Sequence, residues 1–241
     1  MNIGIIFAGG VGSRMNTREK PKQFLNLYNK PIIIYTLEHF ENNPDIDAVV
    51  VACVSDWMSY LAELLEHFQI HKVKKIVPGG MTGQESIYHG LLAAREISEE
   101  KNPVVLIHDG VRPLINSQLL TECIDSVKKY GNAIVSGKVT ETITVIDESG
   151  GVDIVVPRDQ SRVAKAPQCF RLLDIIEAHE QARNDRKNDF IDSCTMMTHY
   201  GYKMHLIDGP DENIKITTPS DYYSVRAILD AKENAQIYGA W

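Results

Sequence analysis

The sequence has few cysteines, and none is spaced to bind a metal or to form a redox motif. The four cysteines are widely separated, with no C-x-x-C pair and no cysteine–histidine cluster of zinc spacing. We therefore expect reduced, mostly buried thiols, as in a cytoplasmic protein. The chain also lacks a basic stretch followed by a long apolar run, so we expect neither a signal peptide nor a membrane span.

An excess of positive charge is absent as well. The formal net charge is −7 at pH 7 over 241 residues, which argues against non-specific binding to nucleic acid or to an anionic membrane. An anionic substrate would need positive charge concentrated at its own site. With 44% hydrophobic and 24% charged residues, the composition is that of a globular protein. We expect residues 1–241 to form a single α/β domain.

Two common nucleotide-binding motifs are missing from the glycine-rich segment after the first apolar run, Ile3–Phe7. From residue 8 to residue 15 the sequence reads A-G-G-V-G-S-R-M. A P-loop needs a Lys-Ser/Thr pair after its last glycine, and a dinucleotide fingerprint needs a third glycine where Arg14 or Met15 stands. The loop can still cradle a polyphosphate with backbone N–H groups, and Arg14 and Lys22 can neutralise it, while Lys20 either assists or merely solvates the loop.

What the sequence does contain is a regular alternation of strand-like and helix-like segments. This alternation predicts a three-layer, Rossmann-like α/β fold, with a mostly parallel twisted sheet and helices on both faces. The predicted strands are Ile3–Phe7, Ala48–Val54, Val73–Val77, Val104–Ile107 and Ala133–Val139. The predicted helices are Pro31–Phe40, Ser55–Phe68 with a serine cap, Ser86–Ile97, Ser117–Tyr130, Leu172–Asn184 and one from about Thr218 to Tyr238.

One stretch, residues 140–158, interrupts this alternation. It contains two β-rich runs on either side of D-E-S-G-G at 147–151, which indicates a hairpin. A hairpin inserted into an α/β domain projects from it and leaves its edges unpaired. We therefore predict that residues 140–158 form a β-arm that joins two copies of the chain in a homodimer.

Polar segments follow several predicted strands, at the edge where open α/β sheets bind their ligands. After the third strand, paired glycines ending in Gly80 can let a flat base approach, and Ser86 can cap the next helix or contact a nucleotide. After the fourth strand, Asp109 near Arg112 suits Mg²⁺ bound to phosphates. Taken singly, Asp109 is equally typical of a helix cap, and Lys215, before the last helix, is equally typical of a solvated lysine.

In this combination and order the segments resemble the CTP-dependent polyol-phosphate cytidylyltransferase family. The matching motifs are A-G-G-V-G-S-R-M at 8–15, P-K-Q at 21–23, G-G at 79–80 with Ser86, H-D-G-V-R-P at 108–113, P-Q-C-F at 167–170 and N-I-K-I-T at 213–217. They cover nearly the whole chain. The resemblance implies a nucleotidyltransferase fold, and transfer of CMP from CTP to an alditol phosphate with release of pyrophosphate.

The resemblance also implies a role for each matching residue. The implied nucleotide-binding residues are Ala8, Gly9, Gly10, Gly12, Gly80, Ser86 and Arg112, with Arg14, Lys22 and Lys215 as catalytic cations. Asp109 would bind Mg²⁺, and Glu212 is either a second metal ligand or a surface carboxylate. Arg158 would reach the acceptor phosphate across the dimer, and Asp192 would face the acceptor polyol.

The departures from the family pattern lie in the acceptor half. Gly83 stands where the methylerythritol-type enzymes usually have arginine, Ala166 stands in place of a threonine, and residues 191–195 read I-D-S-C-T rather than T-D-E-A-S. These differences argue against 2-C-methyl-D-erythritol 4-phosphate and favour another alditol phosphate. Residues 54–57, V-S-D-W, and 83–86, G-Q-E-S, resemble the members of this family that use D-ribitol 5-phosphate. That resemblance implies CDP-ribitol as the product, for a cell-wall or capsule polymer. The alternatives are 2-C-methyl-D-erythritol 4-phosphate as acceptor, a non-catalytic nucleotide-binding module, and a hydride-transfer enzyme, against which the missing third glycine argues.

Overall fold

The computed structural model describes residues 1–10, 20–187 and 189–238, with side chains as far as residue 235. The strands are β1 (Asn2–Ala8), β2 (Asn26–Leu27), β3 (Lys30–Pro31), β4 (Ala48–Cys53), β5 (Val73–Pro78), β6 (Val104–Asp109), β7 (Asn132–Lys138), β8 (Ile143–Ile146), β9 (Val152–Val156), β10 (Arg162–Arg171) and β11 (Leu206–Asp208). The helices are α1 (Ile32–Glu41), α2 (Met58–His67), α3 (Gly83–Ile97), α4 (Ser117–Tyr130), α5 (Leu172–Asn184), α6 (Ser193–His199) and α7 (Pro219–Tyr238).

A seven-stranded sheet in the order β5-β4-β1-β6-β10-β7-β11 forms the centre of the molecule. Strands β5, β4, β1 and β6 run parallel, as do β7 and β11, whereas β10 is antiparallel to both of its neighbours. The register pairs Ala8 with Cys53 and Phe7 with Asp109. The carboxyl ends of β1, β4 and β6 therefore meet at one edge of the sheet. This mostly parallel sheet with flanking helices confirms the predicted fold class.

The sheet is buried on both faces because its strands are nearly continuous runs of apolar residues, as expected for parallel strands. Alternate residues pack into two clusters: Ile6, with Leu106, faces α1, α2 and α4, while Ile5, with Ile107, faces α3, α5 and α6. Helix α3 lies unusually close, since a Cβ placed on Gly90 would come within 2.6 Å of Ile5 Cγ2. The sheet edge is therefore a rigid platform for the loops that follow each strand.

Five strands and helices were not predicted from the sequence: β2, β3, β10, β11 and α6. Strand β10 contains Pro167, and proline within an apolar run argues against a central strand; the strand accommodates it with a register shift between Ala164 and Gln168. Helix α6, of seven residues, and strand β11, of three, are too short to show a periodic pattern. In addition, β6 continues beyond the predicted end at Ile107, because its last two residues pair with β1.

The serine cap predicted for α2 is absent, and Ser86, for which a cap was one of two predicted roles, does not cap α3. The chain at Ser55–Trp57 forms a 3₁₀ turn without a side-chain cap, and α2 begins after it. Helix α3 begins at Gly83 and is capped by Thr82, whose Oγ1 accepts a hydrogen bond from the Glu85 N–H at 3.1 Å. The Glu85 carboxylate accepts a hydrogen bond from the Met81 N–H at 2.7 Å, one residue before the Thr82 N–H that a capping box would use. Ser86 therefore lies within the first turn and is available for another contact.

The hairpin predicted at residues 140–158 is present as β8 and β9, which form a separate two-stranded sheet. In its turn, Asp147 Oδ1 accepts hydrogen bonds from the N–H groups of Ser149 and Gly151 at 2.8 and 2.9 Å. Six apolar side chains of the hairpin are between 40% and 66% exposed: Ile143, Val145, Ile146, Val152, Ile154 and Val155. We call residues 140–158 the arm. No helix in the described part of the chain has the length and apolar character needed to cross a membrane.

Candidate active site

A cavity of about 400 Å³ opens at the carboxyl edge of the sheet, between β1, β5 and β6. It is lined by Phe7, Ala8, Gly9, Gly10, Lys22, Gln23, Gly80, Met81, Thr82, Gly83, Ser86, Asp109, Val111, Lys215 and Thr217. We call it the nucleotide cavity. The structure thus brings together eight residues singled out in the sequence, from four segments separated by up to two hundred positions. Gly12 and Arg14 lie outside the described residues.

Close backbone packing shapes one wall of the nucleotide cavity. A Cβ on Gly9 would lie 2.8 Å from Ser86 Oγ, so the loop after β1 can approach α3 only as glycine. The Ser86 hydroxyl accepts a hydrogen bond from the Gly80 N–H at 3.0 Å and donates one to Thr82 O at 2.9 Å. At Gly10, by contrast, a Cβ would meet no atom of the described residues within 4 Å. Ser86 therefore holds the loop at residues 80–82 in shape.

The loop after β1 is braced by a residue that the sequence analysis did not single out. Gln23 is buried, and its Nε2 donates a hydrogen bond to Ala8 O at 2.5 Å. Its position within P-K-Q was the available signal. The neighbouring Lys22 donates to Ile216 O at 3.0 Å. Lys20, in contrast, donates to Tyr60 OH at 3.1 Å and does not line the cavity.

A carboxylate with two cationic partners marks the end of β6. Asp109 Oδ1 lies 2.6 Å from Lys215 Nζ, and its Oδ2 accepts from Arg112 Nε at 2.7 Å. Burial alone would raise the pKa of Asp109, but the charges of Lys215 and Arg112 outweigh it and keep this pKa below its ordinary value. Asp109 is therefore an anion in this ion-pair cluster and not a helix cap. Arg112 also donates from Nη1 to Asn213 O at 3.1 Å.

The residue beside this carboxylate, His108, is fully buried. Burial lowers its pKa to about 4, and its Nε2 lies 3.1 Å from Arg112 O. The imidazole is therefore neutral near pH 7 and contacts the backbone. This position is consistent with a structural role.

A second cavity of about 280 Å³ adjoins the first and shares Phe7, Gly83, Asp109 and Lys215 with it. Its other lining residues are Gln84, Ile87, Ile107, Arg112, Ala164, Lys165, Ala166, Gln168, Ile191, Asp192 and Ser193. We call it the acceptor-side cavity. Asp192 caps α6 through the Thr195 N–H at 2.8 Å and accepts from Gln168 Nε2 at 2.9 Å. Both of its carboxylate oxygens are therefore held in place.

Two of the predicted residues lie apart from these cavities. Arg158, at the base of the arm, is exposed, donates to Thr142 Oγ1 at 3.3 Å and lines neither cavity of its own chain. Glu212 is 3.1 Å from Lys232 Nζ; a hydrogen bond from its own backbone N–H and one from Lys232 lower its pKa.

The residues at this edge fit a magnesium ion carried by phosphates. In the described part of the chain, no three histidine, cysteine or carboxylate side chains cluster as a metal site would require. Mg²⁺, however, is commonly bound by one or two carboxylates together with substrate phosphates and water. Asp109 is a single anionic carboxylate in the wall shared by the two cavities. It therefore meets that requirement, whereas Glu212 does not line either cavity.

The chain is similar to known proteins along almost its whole length. Residues 3–231 match the family model described as IspD, 2-C-methyl-D-erythritol 4-phosphate cytidylyltransferase. A ribitol-5-phosphate cytidylyltransferase of Vibrio parahaemolyticus serotype O3:K6 is 54% identical, covering 99% of this chain and 100% of that protein. A 2-C-methyl-D-erythritol 4-phosphate cytidylyltransferase of Clostridium novyi is 37% identical, covering 95% and 96%. The crystal structure of 4-diphosphocytidyl-2C-methyl-D-erythritol synthase from Anaerococcus prevotii matches with a TM-score of 0.82 at 25% identity, covering 95% of this chain and 96% of that one.

Proposed function

The chain belongs to the IspD family of cytidylyltransferases, and we propose that it transfers CMP from CTP to D-ribitol 5-phosphate, giving CDP-ribitol and pyrophosphate. The observation that carries this proposal is the pair of adjoining cavities that share Asp109 and Lys215. One cavity has the glycine loops and cations suited to a triphosphate, and the other is large enough for a small phosphorylated polyol. The choice of ribitol is supported by the relative at 54% identity, which is named a ribitol-5-phosphate cytidylyltransferase. The match covers the whole length of that relative.

The proposed reaction is an in-line displacement at phosphorus. A phosphate oxygen of the acceptor forms a bond to the α-phosphorus of CTP, the bond from that phosphorus to the bridging oxygen breaks, and pyrophosphate leaves with the electron pair. The acceptor phosphate is already ionised, so no side-chain base is needed. Catalysis then depends on positioning the reactants and stabilising charge.

Among the described residues, Lys22 and Lys215 are the cationic side chains that line the nucleotide cavity, and they are suited to stabilising this charge. Lys22 is held at the Ile216 carbonyl, and Lys215 rests against Asp109 with 41% of its side chain exposed. A triphosphate in the cavity would offer Lys215 a second anion to bind. We propose that both lysines stabilise the negative charge that develops around the α-phosphorus, and that Arg14, from the loop after β1, helps to hold the phosphates.

We further propose that Asp109 holds Mg²⁺ together with the phosphates of CTP. When bound, the ion would neutralise phosphate charge and favour the departure of pyrophosphate. Arg112 keeps Asp109 oriented toward the shared wall through its hydrogen bond at 2.7 Å. Asp192 would bind the acceptor polyol from the opposite side of the acceptor-side cavity.

The arm supports a homodimer in which each active site is completed by the partner. An isolated two-stranded hairpin is marginally stable in water, yet the arm exposes six β-branched apolar side chains. We propose that the arm packs on a second copy of the chain and that Arg158 there binds the acceptor phosphate, since guanidinium groups bind phosphate with two parallel hydrogen bonds. We also propose one domain spanning 1–241 and a cytoplasmic location, on the sequence grounds given above.

The acceptor 2-C-methyl-D-erythritol 4-phosphate is the second candidate, favoured by the description of the matching family model. A pyrophosphate-release assay with CTP and a panel of alditol phosphates separates the two. We expect D-ribitol 5-phosphate to give the highest kcat/KM, and CTP to be preferred over ATP, GTP and UTP. A higher kcat/KM for the methyl-branched acceptor would reject the proposed substrate. Release of no pyrophosphate with any acceptor would instead favour a non-catalytic nucleotide-binding module.

A further inference from the structure

One wall of the acceptor-side cavity carries buried polar atoms without a partner among the described residues. Ser193 is only 1% exposed, and its Oγ makes no hydrogen bond there. Gln84 Oε1 is likewise buried and unpartnered. Both residues line the cavity. Since buried polar atoms in folded proteins nearly always have partners, a pair of exceptions in one cavity points to a ligand that supplies them.

A cation with weak contacts lies on the same cavity. Lys165 Nζ is 3.3 Å from Asp211 O and 3.5 Å from Pro210 O, and no carboxylate in the described part of the chain lies within ion-pair distance of it. Burial, followed by the charge of Arg112, lowers the pKa of Lys165. On the neighbouring strand β7, a Cβ on Gly137 would come within 2.8 Å of Lys165 Cε. The end of the lysine side chain therefore lies directly against β7 at Gly137.

These groups are complementary to a chain of hydroxyl groups. The ammonium donates, the Gln84 oxygen accepts, and the Ser193 hydroxyl does both. A polyol hydroxyl can likewise donate and accept. We propose that Gln84, Lys165 and Ser193 bind the hydroxyl groups of the acceptor and select an unbranched polyol phosphate over a methyl-branched one. This inference rests on the proposed function, because it assumes that the acceptor occupies this cavity.

The selectivity follows from the cost of leaving these groups unpaired. A site built to hydrogen-bond a substrate hydroxyl discriminates strongly against an analogue that lacks it, because its own polar groups then lose both water and partner. A methyl branch against Lys165 would remove water from the ammonium and return no hydrogen bond.

The test compares Lys165→Met with the wild-type enzyme on both acceptors. We expect Lys165→Met to raise the KM for D-ribitol 5-phosphate about tenfold, as for loss of a hydrogen bond to a charged group. The KM for CTP should change less than about twofold, and kcat/KM for 2-C-methyl-D-erythritol 4-phosphate should be unchanged or higher. Ser193→Ala should act in the same direction more weakly. Lys165→Arg should restore much of the affinity for ribitol 5-phosphate.

The matched control is Lys74→Met, because Lys74 is an exposed lysine of β5 that lines neither cavity. Equal losses on both acceptors, or an unchanged preference in Lys165→Met, would overturn the inference. If the wild-type enzyme used neither acceptor, the proposed function would fail instead. In that case, calorimetric titration of D-ribitol 5-phosphate into wild type and Lys165→Met would test the binding of the acceptor separately from catalysis. Equal affinities would reject the proposed contact with Lys165.

Discussion

The nucleotide cavity and the acceptor-side cavity are built in different ways. The nucleotide cavity is made by short segments that directly follow parallel strands, and its walls are partly glycine backbone packed against neighbouring atoms. The acceptor-side cavity combines the antiparallel strand β10 with the start of α6, and side chains form its walls. A wall made of backbone tolerates few substitutions, whereas a wall of side chains can change its specificity residue by residue. The substrate that distinguishes members of this family is accordingly the acceptor.

The largest expected effect is the loss of activity when divalent metal is removed. It tests Asp109, which lies in the wall that both cavities share. We expect pyrophosphate release to fall to background in EDTA and to return with Mg²⁺, because the phosphates would lose their neutralising charge. Asp109→Asn should raise the Mg²⁺ concentration needed for half-maximal activity, and Glu212→Gln, a carboxylate outside both cavities, is the control. Full activity in chelator would rule out a metal at Asp109.

Lys215→Ala tests the cationic side of the nucleotide cavity. We expect kcat at saturating CTP and acceptor to fall by roughly 10²–10³, as for the loss of one preorganised donor to the transition state. Lys22→Ala should give a loss of similar size, and Lys74→Ala should leave kcat unchanged. A wild-type kcat in Lys215→Ala would remove this lysine from the mechanism.

Arg158→Ala tests whether the acceptor half extends beyond one chain. We expect the KM for the alditol phosphate to rise about tenfold or more, since a charged hydrogen bond to phosphate is lost, while the KM for CTP stays nearly constant. Replacing 143–155 with a short Gly/Ser loop should give monomers of low activity in sedimentation experiments.

Mixed dimers decide where Arg158 acts. Lys22→Ala and Arg158→Ala proteins are combined under conditions of subunit exchange. If the site is shared, a hybrid dimer contains one site with both residues intact and recovers part of the activity. Absence of recovery, with exchange demonstrated, would place Arg158 in its own subunit or outside the reaction.

The smallest expected effect concerns the pH dependence of the free energy of unfolding, and it involves helix α5. Burial, followed by the charge of Arg183, lowers the pKa of His179 on α5 to about 4, against about 6.5 when unfolded. The unfolded chain therefore binds the proton first as the pH falls, and the free energy of unfolding decreases between pH 6.5 and pH 4. His179→Phe should reduce this decrease by about 1–3 kcal/mol in urea titrations. His71→Phe, at an exposed position, should not, and an equal slope in both variants would contradict the assignment.

Most residues predicted from the sequence for nucleotide binding line one cavity, because the signals that single them out are local. Gly80 and Asp109 lie at or within a few residues of the end of a recognisable strand, and Lys215 lies a few residues before the predicted last helix. The acceptor half was predicted only as Asp192 and Arg158, and Lys165, Gln168 and Ser193 were missed. These residues come together through β10 and α6. Strand β10 contains a proline, which argues against a strand, and α6 is too short to show a helical period. Only tertiary pairing brings them to one cavity.

Segment 213–217, which contributes Lys215 and Thr217 to the nucleotide cavity, is synthesised after the strands that it packs against. Lys215 and Ile216 meet partners at residues 22, 109 and 111, which the ribosome synthesises far earlier. A nascent chain that ends before residue 213 already contains every strand of the central sheet, yet it lacks Lys215 and the carbonyl that holds Lys22. The growing polypeptide thus completes its central sheet first, and we expect the capacity for catalysis to follow only when the segment with Lys215 has been made.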